Sequence, residues 1–228
     1  MPRSETKDIL IQKFQEKKHD FRIFMEGVVN YLGEHPHLAG GTEPIVHSYK
    51  ARLKDVDHLL EKISRKKNQG RQINEDNLFN EITDLAGVRI LHLFREDFEA
   101  IDKVIQNKVA EGDWVLSERP KAFTWDPETK LYFDKFNLTV EQRDTFYTSV
   151  HYLIRPRKDS PICCELQVRT LFEEIWGEVD HRINYPNPTK DISCKEQLMV
   201  LSKIVGAGSR LLDSLQRVQD PNKTNASP

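Results

Sequence analysis

From residue 7 to about residue 32, Ile9, Leu10, Phe14, Phe21, Phe24, Met25, Val28 and Val29 recur near helical spacing among Lys and Glu residues. That pattern predicts a long amphipathic helix. Gly33, Pro36, Gly40, Gly41 and Pro44 then interrupt it and mark a loop. A central block over residues 45–185 mixes helical and strand-like periods. Helical spacing returns over residues 193–218, with Leu198, Leu201, Ile204, Val205, Leu211, Leu212 and Leu215 on one side. The polar residues 220–228 are expected to be disordered. The expected organisation is a helical extension at 1–44, a domain at 45–190, a helix at 191–219 and a tail at 220–228. The terminal helices have two readings that periodicity does not separate: they cover the central sheet, or they offer apolar faces to a partner subunit.

Two strands stand out in the central block. Residues 147–154 and 162–169 are joined by the turn-rich segment 155–161, which reads as an antiparallel hairpin. Alternation sorts Val150, Tyr152 and Ile154 onto one face with Cys164, Leu166 and Val168. The opposite face collects Tyr147, Ser149 and His151 with Glu165, Gln167 and Arg169. A register symmetric about Lys158 sets His151 opposite Glu165 and Ser149 opposite Gln167. Outer faces of antiparallel sheets are commonly solvated and favour Lys, Glu and Thr; this one carries side chains able to position a ligand. Further upstream, the apolar run Ile90, Leu91, His92, Leu93, Phe94 predicts a buried strand.

Composition narrows the class. Lys and Arg total 34 against 36 Asp and Glu, a formal charge of -2, so the whole chain is not a polycation built to coat nucleic acid. Hydrophobic residues make up 38% and charged residues 31%, which suits a globular protein. No apolar run approaches the roughly 20 residues that cross a bilayer, and the start lacks the apolar centre of a signal peptide. Cys163, Cys164 and Cys194 form no CxxC pair and are read as reduced, packing thiols, so a cytoplasmic location is expected. There is no GxxxxGK[ST] phosphate loop and no HExxH zinc motif.

Candidate chemistry begins in residues 50–71, where eight Lys and Arg face three acidic residues. Val56, Leu59, Leu60 and Ile63 make a helical apolar face there, Lys62 and Lys66 share one flank, and Arg52 and Lys54 lie just before it. A solvated basic helix explains this stretch; so does a phosphate clamp, since polyphosphate needs several fixed cations converging from one direction. Asp84 stands at the entrance to the strand, and Gly87 leaves room for a close backbone approach. An entrance carboxylate suits Mg²⁺, which takes one or two carboxylates plus phosphate oxygens. A turn-capping aspartate would look the same.

Four ordered motifs resemble the synthetase domain of the RelA/SpoT alarmone synthetases over about residues 48–185: Arg52-Leu53-Lys54 with Lys62 and Arg65-Lys66; Asp84 to Arg89; Tyr147 to His151; and Glu165 to Thr170. Trp176 to His181, followed by Tyr185, is similar to the family's next helix. The resemblance implies an α/β (α+β) fold with a nucleotidyltransferase-like mixed sheet and flanking helices. It implies transfer of the β,γ-pyrophosphate of ATP to the 3′-hydroxyl of GDP or GTP, giving (p)ppGpp and AMP. Arg52, Lys54, Lys62, Lys66 and Arg89 would hold ATP. Asp84 and Glu165 would be catalytic and bind Mg²⁺, while Tyr147, Ser149, His151, Gln167, Arg169 and Arg143 would serve the acceptor. A homotetramer through the terminal helices is expected from the same resemblance. So is the absence of the family's hydrolase domain and of its long regulatory region.

The acceptor side departs from the family pattern. Thr145-Phe146 stand where small synthetases have Asn-Gly, Thr148 replaces an Arg or Gln, Arg143 replaces a Lys, and Asp180 replaces the Glu before His181. Two further readings follow: a toxin-type relative that modifies the tRNA 3′ end or adenosine nucleotides, and a non-catalytic nucleotide- or RNA-binding domain. Salt-sensitive binding would mark an RNA acceptor. Retention of both Asp84 and Glu165 speaks against the non-catalytic reading.

Overall fold

The computed structural model describes residues 2–41, 43–185 and 187–219. The tail expected at 220–228 lies outside the described residues. The chain opens with α1 (Pro2–Gly33) and the short α2 (Pro36–Ala39), followed by β1 (Val46–Leu53) and α3 (Val56–Asn68). Next come α4 (Leu78–Glu81), β2 (Ala86–His92), a 3₁₀ turn at Arg95–Asp97 and α5 (Phe98–Ala110). The strands β3 (Val115–Leu116) and β4 (Lys121–Thr124) precede α6 (Pro127–Phe133) and β5 (Thr139–Gln142). The hairpin β6 (Ser149–Arg155) and β7 (Cys164–Thr170) leads into α7 (Leu171–Asn184) and α8 (Ile192–Gln219).

Among the described residues the strands form one seven-stranded mixed sheet in the order β1-β2-β7-β6-β4-β5, with β3 pairing β6. The pair β2/β7 is parallel and lies between antiparallel neighbours. These two strands and the adjacent β6 are apolar on the core side because that side is covered: Val88, Ile90, Leu166, Val168, Val150 and Tyr152 are all buried. Helices α1 and α5 do the covering, α5 with Ile101, Val104 and Ile105. Leu10, Phe14, Phe21, Met25, Val28 and Leu32 recur at steps of three, four and seven, and all are buried in the same core as the sheet. Each buried Phe on this face contributes about 1.5–3 kcal/mol. The covering reading of the terminal helices therefore holds for α1. The last helix packs on α7 but leaves Val200, Ile204, Leu211, Leu215 and Val218 exposed on its outer side. Among the described residues, no helix is long and apolar enough to cross a membrane.

The hairpin needs a correction. His151 pairs with Gln167 and Leu153 with Glu165, so the strands turn about residue 159 and not about Lys158. The turn is closed late: Ser160 N–H donates to Arg157 O at 3.1 Å, Ile162 N–H donates to Ser160 Oγ at 3.1 Å, and Arg155 holds the Ser160 carbonyl. A slip of two residues keeps every side chain on its face, so the polar and apolar faces stand as expected.

Candidate active site

Strand register sets polar residues in rows across the sheet. Lys50 of β1 lies opposite Arg89 of β2, which lies opposite Gln167 of β7, then His151 of β6, then Lys121 of β4. The next row runs Arg52, Gly87, Glu165, Leu153. A Cβ at Gly87 would meet Glu165 O at 3.8 Å, an ordinary contact, so the glycine opens the floor of the pocket and is not required by a close backbone approach.

Glu165 sits at the centre of a relay. His151 Nδ1 is 3.2 Å from its Oε1, and Gln167 Nε2 donates to its Oε2 at 2.8 Å. The other ring nitrogen, His151 Nε2, is 2.9 Å from the Tyr147 hydroxyl. Burial pushes the Glu165 carboxyl up, but the hydrogen bond and charge of His151 outweigh it and hold the group below the usual range. The His151–Glu165 contact is thus diagonal across the hairpin.

Asp84, just ahead of β2, carries a second carboxylate. Lys54 Nζ donates to its Oδ2 at 2.9 Å and Lys62 Nζ lies 2.7 Å from its Oδ1. Burial raises its pKa, yet the two ammonium charges more than offset this and the group stays acidic. Oδ1 is buried without an aligned hydrogen bond, which leaves a lone pair for a further ligand. Asp84 and Arg52 line two cavities at once. One is a pocket of about 170 Å³ with Lys50, Gly87, Arg89, Glu165 and Gln167. The other is a cleft of about 900 Å³ with Lys54, His58, Lys62, Arg65, His181 and Tyr185.

Lys50 and Arg89 face each other on neighbouring strands, a repulsive pairing unless an anion intervenes. Glu174 supplies it, 2.6 Å from Lys50 and 3.2 Å from Arg89, and Glu178 approaches Arg89 to 3.0 Å. The two glutamates are four apart on α7 and so share a face. Arg169 reaches Glu174 from behind, under Gly177, where a Cβ would come within 2.9 Å of the guanidinium.

The structure brings Arg52, Lys54, Lys62, Asp84, Arg89, Glu165 and Gln167 to the two cavities. Tyr147 and His151 join them through the relay. Arg143 lies over the Phe123 ring at 4.1 Å, and Phe123 stands edge-on to His151 at 4.9 Å. Three expected residues point elsewhere. Lys66, one helical turn beyond Lys62, reaches the Glu81 carbonyl and carboxylate instead of Asp84. Ser149 is buried, donates to Val168 O at 3.4 Å and hydrogen-bonds the Tyr147 side chain, so it backs the relay without lining either cavity. Arg169 is buried against Glu174, with the Tyr147 ring 5.8 Å away. Sequence reasoning missed Lys50, Glu174, Glu178 and Phe123. The signal for the glutamates was their four-residue spacing on a helix following the Glu165 strand. The three cysteines are free; Cys163 and Cys164 are buried, and burial pushes the Cys163 thiol up to about 11, whereas Cys194 is only half-buried, beside Asp191, and does not pack in the core.

The chain is similar to known proteins in sequence and in fold. A family model described as "Region found in RelA / SpoT proteins" matches residues 51–190. The GTP pyrophosphokinase YwaC of Bacillus subtilis (strain 168) is 23% identical over 183 residues, covering 78% of this chain and 73% of that protein. The GTP pyrophosphokinase YjbM of the same organism is 23% identical over 173 residues, covering 74% and 69%. The crystal structure of the small alarmone synthetase 1 from Bacillus subtilis superposes with a TM-score of 0.65 at 18% identity, covering 93% of this chain and 99% of that one. Its complex with the product pppGpp gives a TM-score of 0.64, again at 18% identity, over 93% and 99% of the two chains. Those two likenesses establish the fold.

Proposed function

This chain belongs to the RelA/SpoT family, and from that premise and the geometry above we propose that it is a GTP pyrophosphokinase. It transfers the β,γ-pyrophosphate of ATP to the 3′-hydroxyl of GDP or GTP. One observation carries the reading: Asp84 and Glu165 stand at neighbouring strands of a parallel pair, between a lysine-lined cleft and a Tyr147–His151 relay. ATP occupies the cleft, where its phosphates draw Lys54 and Lys62 away from Asp84. Arg52 and Arg89 hold the donor end. Tyr147 receives the acceptor base and His151 the acceptor phosphates, with Arg143 at the rim.

Glu165 accepts the proton of the 3′-hydroxyl, and the freed oxygen attacks the β-phosphorus in line with the bond to the departing AMP oxygen. That bond breaks as the new one forms, so AMP carries the electron pair away. Its low pKa keeps Glu165 ionised and ready near neutrality. Mg²⁺ fits the open lone pair of Asp84 and the carboxylate of Glu165; when bound it supplies charge neutralisation on phosphate oxygens. We further propose a homotetramer through the terminal helices, using the exposed stripe of α8 and the outward side of α1 at Ile9 and Ile23 rather than its sheet-covering face, which light scattering tests directly, and activity in the cytoplasm, in keeping with three unpaired thiols.

The test is incubation of the purified protein with γ-labelled ATP, Mg²⁺ and, separately, GDP, GTP, ATP or deacylated tRNA. Label on GDP or GTP, abolished in Glu165→Ala, is the expected result. Transfer to none of them, or unchanged transfer in the variant, overturns the mechanism; transfer to tRNA alone overturns the acceptor.

A further inference from the structure

The loop that presents Tyr147 carries a backbone feature the chemistry above does not use. Phe146 is the non-glycine residue found, among the described residues, with a left-handed backbone, at φ 32°. Its Cβ gains nothing in that region, so the surroundings must impose the conformation. Those surroundings are definite. The Phe146 ring stands against Trp125, centroids 5.5 Å apart at 73°. Trp125 lies on α8 at Gly206, where an added Cβ would sit 3.7 Å from the indole Cζ2. Arg210, one turn further along α8, donates to the Asp126 carboxylate at 2.8 Å. Thr148 Oγ1 is 3.2 Å from Thr124 Oγ1, both side chains buried.

The space left among Trp125, Phe146, Thr148, Val205 and Gly206 is about 20 Å³, room for about one water. Parts packed this closely move together and do not slide. Residues 146 and 148 both face this space, whereas Tyr147 between them turns the other way, toward His151. A continuous contact therefore runs from α8 through Trp125 and Phe146 to the side chain placed against the acceptor.

We propose that Trp125 and Phe146 are positioning residues: they transmit the docking of α8 to Tyr147 and so set the angle at which the site receives the acceptor nucleotide's base. This rests on the pyrophosphokinase reading above. The identity of residue 146 then serves acceptor recognition through its ring, against which the backbone is bent, and not through any contact with substrate.

Glycine at 146 separates the two components, because it accepts the left-handed backbone freely but leaves Trp125 without its partner. Steady-state transfer from ATP to GTP is measured for the full chain and for Phe146→Gly, Phe146→Tyr and Trp125→Leu, varying each substrate in turn, with a melting temperature for each protein. Phe146→Gly and Trp125→Leu are expected to lower kcat/KM for the acceptor by about tenfold or more, largely through KM, while KM for ATP stays within about twofold of the parent. Phe146→Tyr, which keeps the ring, is expected to restore the parent KM. The double variant should lose no more than either single one, since both break one contact. An unchanged acceptor KM in Phe146→Gly overturns the inference. So does an equal loss for both substrates in step with the melting temperature. Should Phe146→Gly fail to fold, Trp125→Leu reports on the same contact from its other partner. If the parent protein transfers label to no nucleotide, the proposed function itself falls, and the positioning role with it.

Discussion

On one side of Glu165 lie Asp84, Lys54, Lys62, Arg52 and Arg89; on the other lie His151, Tyr147, Phe123 and the loop at Phe146. The first group is held by charge. Lys54 and Lys62 are paired to Asp84, and Arg89 to Glu174 and Glu178, all within or directly beside a regular strand or helix. The second group is held by ring packing and by the hydrogen bond between Tyr147 and His151. Electrostatic preorganisation on rigid elements tolerates changes of shape but not of charge, because its energy lies in ions whose partners are buried. A packed loop behaves in the opposite way. The two halves should thus respond to different substitutions, and the responses should show in different kinetic constants.

The largest effect is expected where the halves meet. Glu165→Gln keeps the shape and removes the base, so kcat should fall by about 10²–10⁴-fold with the circular dichroism spectrum unchanged. A fall smaller than tenfold would move the base elsewhere. Next come the lysines. Lys62→Met removes a charge-assisted contact of about 1.5–3 kcal/mol, which should raise KM for ATP by about 10–100-fold with the acceptor KM nearly unchanged. A matching rise in the acceptor KM would erase the distinction drawn here.

Acid stability probes the same contrast. The Asp84 and Glu165 carboxyls are both more acidic folded than unfolded: burial alone would raise them, but the two lysines and His151 respectively win. Their stabilisation is complete above the ordinary values, 3.8 and 4.5, and is lost as pH falls through the lower folded values. The melting temperature should therefore drop below about pH 4, and in Lys62→Met the drop should be smaller, because Asp84 has lost one of the two charges that lower its folded value. The smallest effect belongs to Tyr147→Phe, which removes one hydrogen bond of about 0.5–1.5 kcal/mol. The acceptor KM should rise by about 2–10-fold and the ATP KM should not respond, as parallel titrations of the two substrates would reveal.

Much of this arrangement was legible before the fold was known. Helix α1 announced itself because its buried apolar residues fall on one stripe, whereas the apolar residues expected on one side of α8 divide between a buried side, with Leu198 and Val205, and an exposed one, with Ile204, Leu211 and Leu215. The faces of β6 and β7 were readable because alternation survives a slip of two residues. The pairing across that hairpin was not, since a turn closed by Ser160 leaves no periodic trace. Strand β1 also escaped notice. It is an edge strand with one fully buried residue, Val46, so Lys50 and Arg52 read as part of a basic stretch and not as rungs of a sheet. Lys66 was grouped with Lys62 by spacing alone, whereas the choice between Asp84 and Glu81 depends on how α3 lies along residues 81–84. Glu174 needed the tertiary structure most. Its role comes from three cations that arrive from β1, β2 and β7, and α7 itself offers only the four-residue spacing from Glu178.

The junction of β7 and α7 has a consequence for how this chain can vary in length. Thr170 ends the strand and caps the helix, and with Glu173 it forms a reciprocal capping box, so no loop intervenes. Glu165 and Glu174 are in effect fixed to a single lever. One residue inserted at the junction would rotate everything beyond it by about 100° around the helix axis, carrying Glu174 and Glu178 away from Lys50 and Arg89 together. The junction at Thr170 should therefore reject any insertion or deletion, in contrast to the turn at 156–163, where extra residues would leave both carboxylates where they are.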